Sequence, residues 1–301
     1  METPIVMIPQ SEFHTHPLLA RLLQLHEVPE QIYIKGTLPH VTLDEYGRAT
    51  PRILTVVGSR KYSEYGKNAV SKLIATLKDA DVIIVSGLAL GIDAIAHTSA
   101  LQNNLNTFAV LGNGLDTNVM YPRSHLSLSE EILSTGGVLI SELHPTTEAA
   151  PWTFPARNRI VAALSDAVLI AEAGEKSGTL ITARQALELG RDIGAIPGDI
   201  FSPGTAGPHM LIREGAYIVA TGDDLYALLH LTKKELDTET VNEINYTEHE
   251  YLLMEILREP MGKDLLLLKS ELSLPVFLAT LSSLEMNGVI QETFGEVRRL
   301  V

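Results

Sequence analysis

The chain has 301 residues, 45% of them apolar, with no cysteine and a formal net charge of −14. This length provides for a main domain with a sizeable core plus one smaller unit. The missing thiols exclude disulfides, thiolate zinc sites and cysteine nucleophiles, and fit a reducing compartment.

The N-terminus METPIVMIPQ lacks the basic start and continuous apolar core of a signal peptide. No apolar run approaches the roughly 20 residues of a membrane span, so a soluble, cytoplasmic protein is expected. Residues 1–50 offer a polar lead, a short helix in HPLLARLLQLHEVPEQ and a small strand, IYIKG. That is too little for a domain, and the segment is expected to pack on the edge of the domain that begins near residue 51.

From Ile53 the pattern is strand then helix, repeated. ILTVVG (53–58) leads to an amphipathic stretch at 64–79, and VIIVSG (82–87) to a helix from about Ile92. TFAVLG (107–112) precedes a helix near 124–135, and GVLISE (137–142) enters the loop LHPTTEAAPWTFP, with a helix after Pro155. AVLIAEAG (167–174) passes through EKSGT into a helix to Leu189, and DIGAIPGD (192–199) leads to a helix at 209–215 and the strand AYIVA. Apolar strands alternating with helices predict a parallel sheet covered on both faces, with right-handed crossovers. The fold class is therefore α/β, an extended Rossmann-like domain over residues 51–230.

An acidic linker is expected over 231–247, followed by a unit at 248–301 whose short helices and possible hairpin VIQETFGEVRRLV suggest a winged helix. From Thr221 onward there are 15 acidic and 7 basic residues. The helix PVFLATLSSLEMNG carries no Lys or Arg, which speaks against phosphate contacts there and favours a protein-contact or regulatory role. The middle of the chain is nearly balanced, with its arginines in loops. Polyanion binding needs local cations rather than a basic total.

Glycine and polar residues fall just after the strands, at 58–60, 86–91, 112–116, 141–145, 174–179 and 197–207. In an open parallel sheet these loops share one rim, where ligands bind. In SGLALGIDAIAH (86–97), Ser86, Gly87, Leu88 and Gly91 form a strand-to-helix turn with exposed N–H groups and a helix dipole suited to an anion. Asp93 and His97 stand at helical spacing as a conceivable acid/base pair; the preferred reading is that Asp93 supports its own loop and His97 packs beneath it. Arg60 is a cation on the same rim. Arg157, Asn158 and Arg159, expected in the first turn of their helix, either bridge acids such as Glu142 and Glu172 or line the ligand site. Lys176, Ser177, Gly178 and Thr179 form a further phosphate cradle. The dinucleotide fingerprint and GxxxxGK[ST] are absent, no spacing resembles a metal site, and no cofactor or metal is expected.

Taken together, GSR (58–60), SGLALGIDAIAH, LGNGLDTNVMYP (111–122), FPARNRIVAALS (154–165), EAGEKSGTLITARQALELGRDIGAIPG (172–198) and HMLIREGA (209–216) resemble the Smf/DNA-processing protein A (DprA) family. The resemblance covers about residues 17–220, and the C-terminal module is similar to the winged helix that many members carry. It implies a non-enzymatic protein that binds and protects single-stranded DNA, forms a homodimer and loads RecA in natural transformation.

The resemblance places DNA on the rim, at Gly58, Ser59 and Arg60, the 86–91 loop, Gly112, Gly114, Arg123, Phe154, the Arg157–Arg159 run and the 176–179 turn. Trp152 in the preceding loop is placed to touch a base. The dimer or RecA contact falls around His209, Ile212 and Ile218. Many members carry a SAM-like N-terminal domain, and this chain is expected to start after it. Members often have lysine after the Tyr-Pro pair and asparagine near 125, where this chain has Arg123 and His125. A competing reading, from another class, is a nucleotide-binding enzyme or sensor of the nucleoside monophosphate phosphoribohydrolase type, with Glu172 as the rim carboxylate.

Overall fold

The computed structural model describes residues 3–232, 246–293 and 295–299, in two compact units, 1–233 and 234–301. The first unit opens with β1 (Ile5–Pro9), the short helix α1 (Pro17–Ala20) and β2 (Gln31–Lys35). A small hairpin, β3 (Thr42–Leu43) and β4 (Ala49–Thr50), leads into the alternating part. That part runs β5 (Arg52–Val57), α2 (Glu64–Ala75), β6 (Val82–Ser86), α3 (Ile92–Gln102), β7 (Asn106–Val110), α4 (Leu126–Ser134) and β8 (Val138–Ser141). It continues with α5 (Thr153–Leu164), β9 (Ala167–Ile170), α6 (Gly178–Glu188), β10 (Asp192–Ala195), α7 (Ala206–Arg213), β11 (Tyr217–Ile218) and α8 (Gly222–Leu228).

Nine strands form one sheet in the order β1-β2-β8-β7-β6-β5-β9-β10-β11. Strands β5 to β11 are parallel, and β2 runs against β8, with β1 against β2. The α/β architecture is the one the alternating pattern predicts. The sequence reading missed β1, whose Val6 and Met7 are exposed. It also ran the second helix to 79, where the structure ends it at Ala75.

The strands read as unbroken apolar runs because both faces are covered, and side chains alternate between two cores. Ile53, Ile83, Val85, Phe108 and Val110 face one core, shared with Leu18, Leu19, Leu22 and α5 residues such as Ile160. Leu54, Val56 and Ile84 face the other, shared with α2, α3 and α8 through Val70, Ile74, Ala96 and Leu225. Each fully buried aliphatic side chain contributes roughly 1.5–3 kcal/mol. Ser63 caps α2, and Thr221 with Asp224 forms a capping box on α8.

The topology creates a switch. From β5 the chain winds through β6, β7 and β8 on one side, then returns to lay β9, β10 and β11 on the other. A crevice must open outside the C-terminal ends of β5 and β9.

The second unit contains α9 (Glu248–Ile256), β12 (Met261–Gly262), α10 (Lys263–Ser270), α11 (Leu274–Met286), β13 (Ile290–Thr293) and β14 (Glu296–Arg299). Its sheet has the order β12-β14-β13, and its own core centres on Leu253, Leu266, Phe277 and Val297. Of the linker expected at 231–247, residues 233–245 lie outside the described ones. Among the described residues no single helix is long and apolar enough to cross a membrane.

A buried ion pair ties the N-terminal segment to the sheet. Arg21 lies 2.6 Å from Asp166, with side chains 2% and 6% exposed. Asp166 also accepts from the N–H groups of Ala49 (3.0 Å) and Ile53 (2.7 Å). Removing the carboxylate leaves a buried guanidinium without its counter-charge and two N–H groups unpaired, so Asp166→Ala is expected to cost on the order of 3–5 kcal/mol in urea unfolding. A loss below about 1 kcal/mol would refute the tie.

His97 is sealed in the core between α3 and β7. Thr107 gives its hydroxyl proton to the Ile84 carbonyl at 2.9 Å, so it accepts from His97 Nδ1 at 2.6 Å. Burial first, then the charges of His125 and Arg157, push the His97 pKa from 6.5 down to about 3. Between those values the unfolded chain binds more protons than the folded one, so stability falls as pH is lowered through that window. His97→Gln is expected to flatten this dependence by on the order of 3 kcal/mol between about pH 7 and pH 4. Equal slopes of unfolding free energy against pH for variant and wild type would contradict it.

Candidate functional site

A cleft of about 620 Å³ occupies the switch point. It is lined by Gly58, Ser59 and Arg60 after β5, Gly87 and Ala89 after β6, Phe154, Arg157 and Asn158 of α5, and Ser177, Gly178 and Thr179 at the start of α6. Three backbone constraints fix its walls. Gly91 has φ +86°, and a Cβ there would lie 2.3 Å from the Ser59 carbonyl oxygen, so glycine alone lets the 87–91 loop lie against the 58–60 loop. A Cβ on Gly87 would fall 2.4 Å from Arg157 Nη2. Gly112 closes against the Phe154 ring in the same way.

The 87–91 loop is held from inside. Asp93, in the first turn of α3, accepts from the N–H groups of Gly87 at 3.1 Å and Ala89 at 3.4 Å. Arg157 donates to the Gly87 carbonyl at 2.8 Å and to the Val110 carbonyl, joining the ends of β6 and β7. Burial raises the Asp93 pKa, opposed by Arg157 and by the two N–H groups. Burial likewise lowers that of Arg157, Asp93 opposing and Arg60 adding to the effect.

These bonds bear out Asp93 as the support of its own loop, His97 as a packed core residue and a bridge from an α5 arginine to Glu142, and they correct other expectations. The Gly87 N–H, read as part of an anion cradle, is already satisfied by Asp93, as is that of Ala89. Ser86 is buried and donates to the Val56 carbonyl at 2.6 Å, Leu88 points into the core at φ +55°, and Gly91 faces the 58–60 loop. Ser86, Leu88 and Gly91 therefore shape the wall and leave its inner surface to Gly87 and Ala89. Helix α5 begins at Thr153, before Pro155, which puts Arg157, Asn158 and Arg159 in its second turn. Arg159 bridges Glu142 at 2.6 Å. Glu172 takes neither arginine; it accepts from the Ser63 N–H at 2.9 Å and the Ser63 hydroxyl at 2.5 Å. His97 is paired with Thr107 and not with Asp93.

Other expected residues lie beside the cleft. Trp152 is the N-cap of α5 and, with Glu142, Leu143 and Arg159, lines a smaller recess of about 270 Å³. Arg123 is exposed and donates to the Thr117 carbonyl at 2.6 Å. Gly114 packs on the carbonyls of His144 and Pro145, and Lys176 is exposed in the turn before α6, outside the lining. Ser177 caps α6 by accepting from the Thr179 N–H at 3.2 Å. His209 and Ile212 lie on α7 beside a separate hollow, where His209 Nε2 is 3.1 Å from the Gly198 carbonyl, and Ile218 is exposed on the edge strand β11.

The sequence reading missed Tyr121. Its ring lies 5.7 Å from that of Phe154, over which the Arg60 guanidinium sits at 5.1 Å. Cation, phenyl and phenol thus follow one another along the cleft wall, the two rings tilted by 50°. The Tyr-Pro pair at 121–122 was in view as a motif, and only the fold shows that its ring faces the cleft.

Comparisons with known proteins place the chain in a family. A family model described as DNA recombination-mediator protein A matches residues 9–230. Protein Smf of Escherichia coli is 42% identical over 215 residues, which is 71% of this chain and 54% of that protein. The chain therefore spans about half the length of that relative. DNA processing protein DprA of Streptococcus pneumoniae is 41% identical over 206 residues, 68% of this chain and 69% of the relative. The X-ray structure of the Streptococcus pneumoniae protein matches with a TM-score of 0.62 at 38% identity, covering 75% of this chain and 74% of that one. A structure concerned with the single-stranded DNA binding mode of DNA processing protein A from Helicobacter pylori matches with a TM-score of 0.61 at 26% identity, covering 76% and 98%. With its Rossmann-like unit matched almost from end to end, the chain belongs to the DNA recombination-mediator protein A family.

Proposed function

We propose that the cleft binds single-stranded DNA without processing it, and that the protein shields the strand and loads RecA onto it. The observation that carries this reading is the Arg60–Phe154–Tyr121 cluster on a cleft that also presents the buried guanidinium of Arg157. Two cations face a phosphate and two rings are available to a base, a combination that needs no particular base order. Arg60 and Arg157 raise each other's electrostatic energy, and an anion between them relieves that repulsion.

The chemistry of the walls favours binding over turnover. Asp93 is the one carboxylate among the described lining residues, and it is engaged by two N–H groups. Glu172, which a phosphoribohydrolase reading needs on the rim, is held by Ser63. We read the second unit as a winged helix used for protein contact, since α11 carries no Lys or Arg.

The binding reading sets a salt test. Affinity for a thymidine oligomer is expected to fall steeply with salt, and Arg60→Ala to weaken it while lowering the slope of log affinity against log salt by about 0.7. Gel shifts at several salt concentrations, with duplex as competitor, check this. Equal preference for duplex, or an unchanged slope, would overturn it.

We also propose that α7 and β11 pair with a second copy of the chain. The exposed Ile218 and the hollow beside His209 and Ile212 support this placement. Ile212→Glu is expected to halve the hydrodynamic mass and reduce RecA loading. Unchanged mass and loading would show that the interface lies elsewhere.

A further inference from the structure

Seven of the twelve Phe, Tyr and Trp residues of the first unit are exposed, and they are unevenly placed. The exposed ones are Tyr46, Tyr62, Tyr65, Tyr121, Trp152, Phe201 and Tyr217. Tyr46 and Tyr217 sit in the small hairpin and on the edge strand. The other five follow the C-terminal ends of parallel strands: Tyr62 and Tyr65 after β5, Tyr121 after β7, Trp152 after β8 and Phe201 after β10. All five therefore stand on the rim that carries the cleft.

Tyr121 belongs to the cleft wall and Trp152 to the adjoining recess. Tyr62, Tyr65 and Phe201 belong to neither, and they are 42%, 51% and 88% exposed. Tyr65 is tied across the end of β9 to the loop that carries Phe201. Tyr65 donates its hydroxyl to the Pro197 carbonyl at 2.5 Å, and its ring would be 3.5 Å from a Cβ on Gly198, three residues before Phe201. The Glu172 carboxylate, just past β9, anchors Ser63 and so fixes the start of α2 that carries Tyr65.

The row is continuous with the cleft. Ser59 and Arg60 line the cleft, Lys61 follows with its side chain exposed, and Tyr62 comes next. Lys67 adds a second cation on α2, 3.7 Å from Glu64. Rings interleaved with lysines at the exit of a cation-bearing cleft suit unpaired bases, whose faces stack and whose phosphates seek positive charge.

We propose that Tyr62, Tyr65 and Phe201 form a stacking strip for unpaired bases, extending the strand's track from the cleft across the ends of β5, β9 and β10. The inference rests on the cleft reading above and adds a second stretch of contact to it. Because stacking engages any base face, the strip lengthens the bound segment without adding sequence preference.

The test uses the full chain with Tyr62→Ala, Phe201→Ala, the double variant and Tyr62→Phe. Calorimetric titrations use thymidine oligomers of about four and about twenty nucleotides, the lower length being near the smallest site sizes of single-strand binders. A third probe is an abasic oligomer of the longer length. The double variant is expected to lose about 25-fold or more in affinity for the long oligomer, at least fivefold per ring. It should match wild type on the short oligomer and on the abasic one, and Tyr62→Phe should match wild type throughout. An undiminished affinity for the long oligomer, an equal loss on the short or abasic one, or a fall in hydrodynamic mass on Phe201→Ala would each overturn the strip. Wild type that binds neither thymidine oligomer would instead overturn the cleft reading itself.

Discussion

One residue, Gly87, holds the site together. The N–H of Gly87 is taken by Asp93 and its carbonyl by Arg157, so two buried and opposite charges grip the same glycine from both sides. Charge-assisted hydrogen bonds of this kind contribute about 1.5–3 kcal/mol each, and leaving either charge buried without its partner costs more. Through Arg157 the grip reaches Val110 and the body of α5; through Asp93 it reaches Ala89 and the start of α3. Four elements meet there, and the cleft is the space they leave.

A loop that satisfies its own N–H groups cannot also offer them to a phosphate. Under the proposed binding mode the work falls to side chains rather than to the backbone of this loop: Arg60, the edge of Arg157, and the rings of Phe154 and Tyr121. In that mode a polyanion ligand is compatible with a net charge of −14. The cations that matter are few and local, and the acidic excess is concentrated after residue 221.

The parallel core was legible because strands buried on both faces leave uninterrupted apolar runs such as VIIVS, and because each run ends in small or polar residues at the rim. Strand β1 was not, since a half-exposed edge strand of five residues ending in proline carries little periodic signal. At the site, residue types were readable and most partners were not. Arg157 and Arg159 look equivalent in FPARNR, yet one turns to backbone carbonyls and the other to Glu142, a distinction made by which face of α5 meets the sheet. Tyr121 turning onto Phe154 is likewise decided by tertiary contacts, whereas Asp93 folding back onto its own loop is local and was legible from its helical position just after the turn.

Trp152 gives the protein a property separate from its chemistry. It is the sole tryptophan in 301 residues, it is 66% exposed, and it caps the helix whose next residues, Thr153 and Phe154, border the recess and the cleft. The molecule's entire indole emission therefore arises from one ring at the border of the site. Any ligand that settles there or stacks nearby changes that ring's solvation, and the unlabelled protein reports its own occupancy in a fluorimeter.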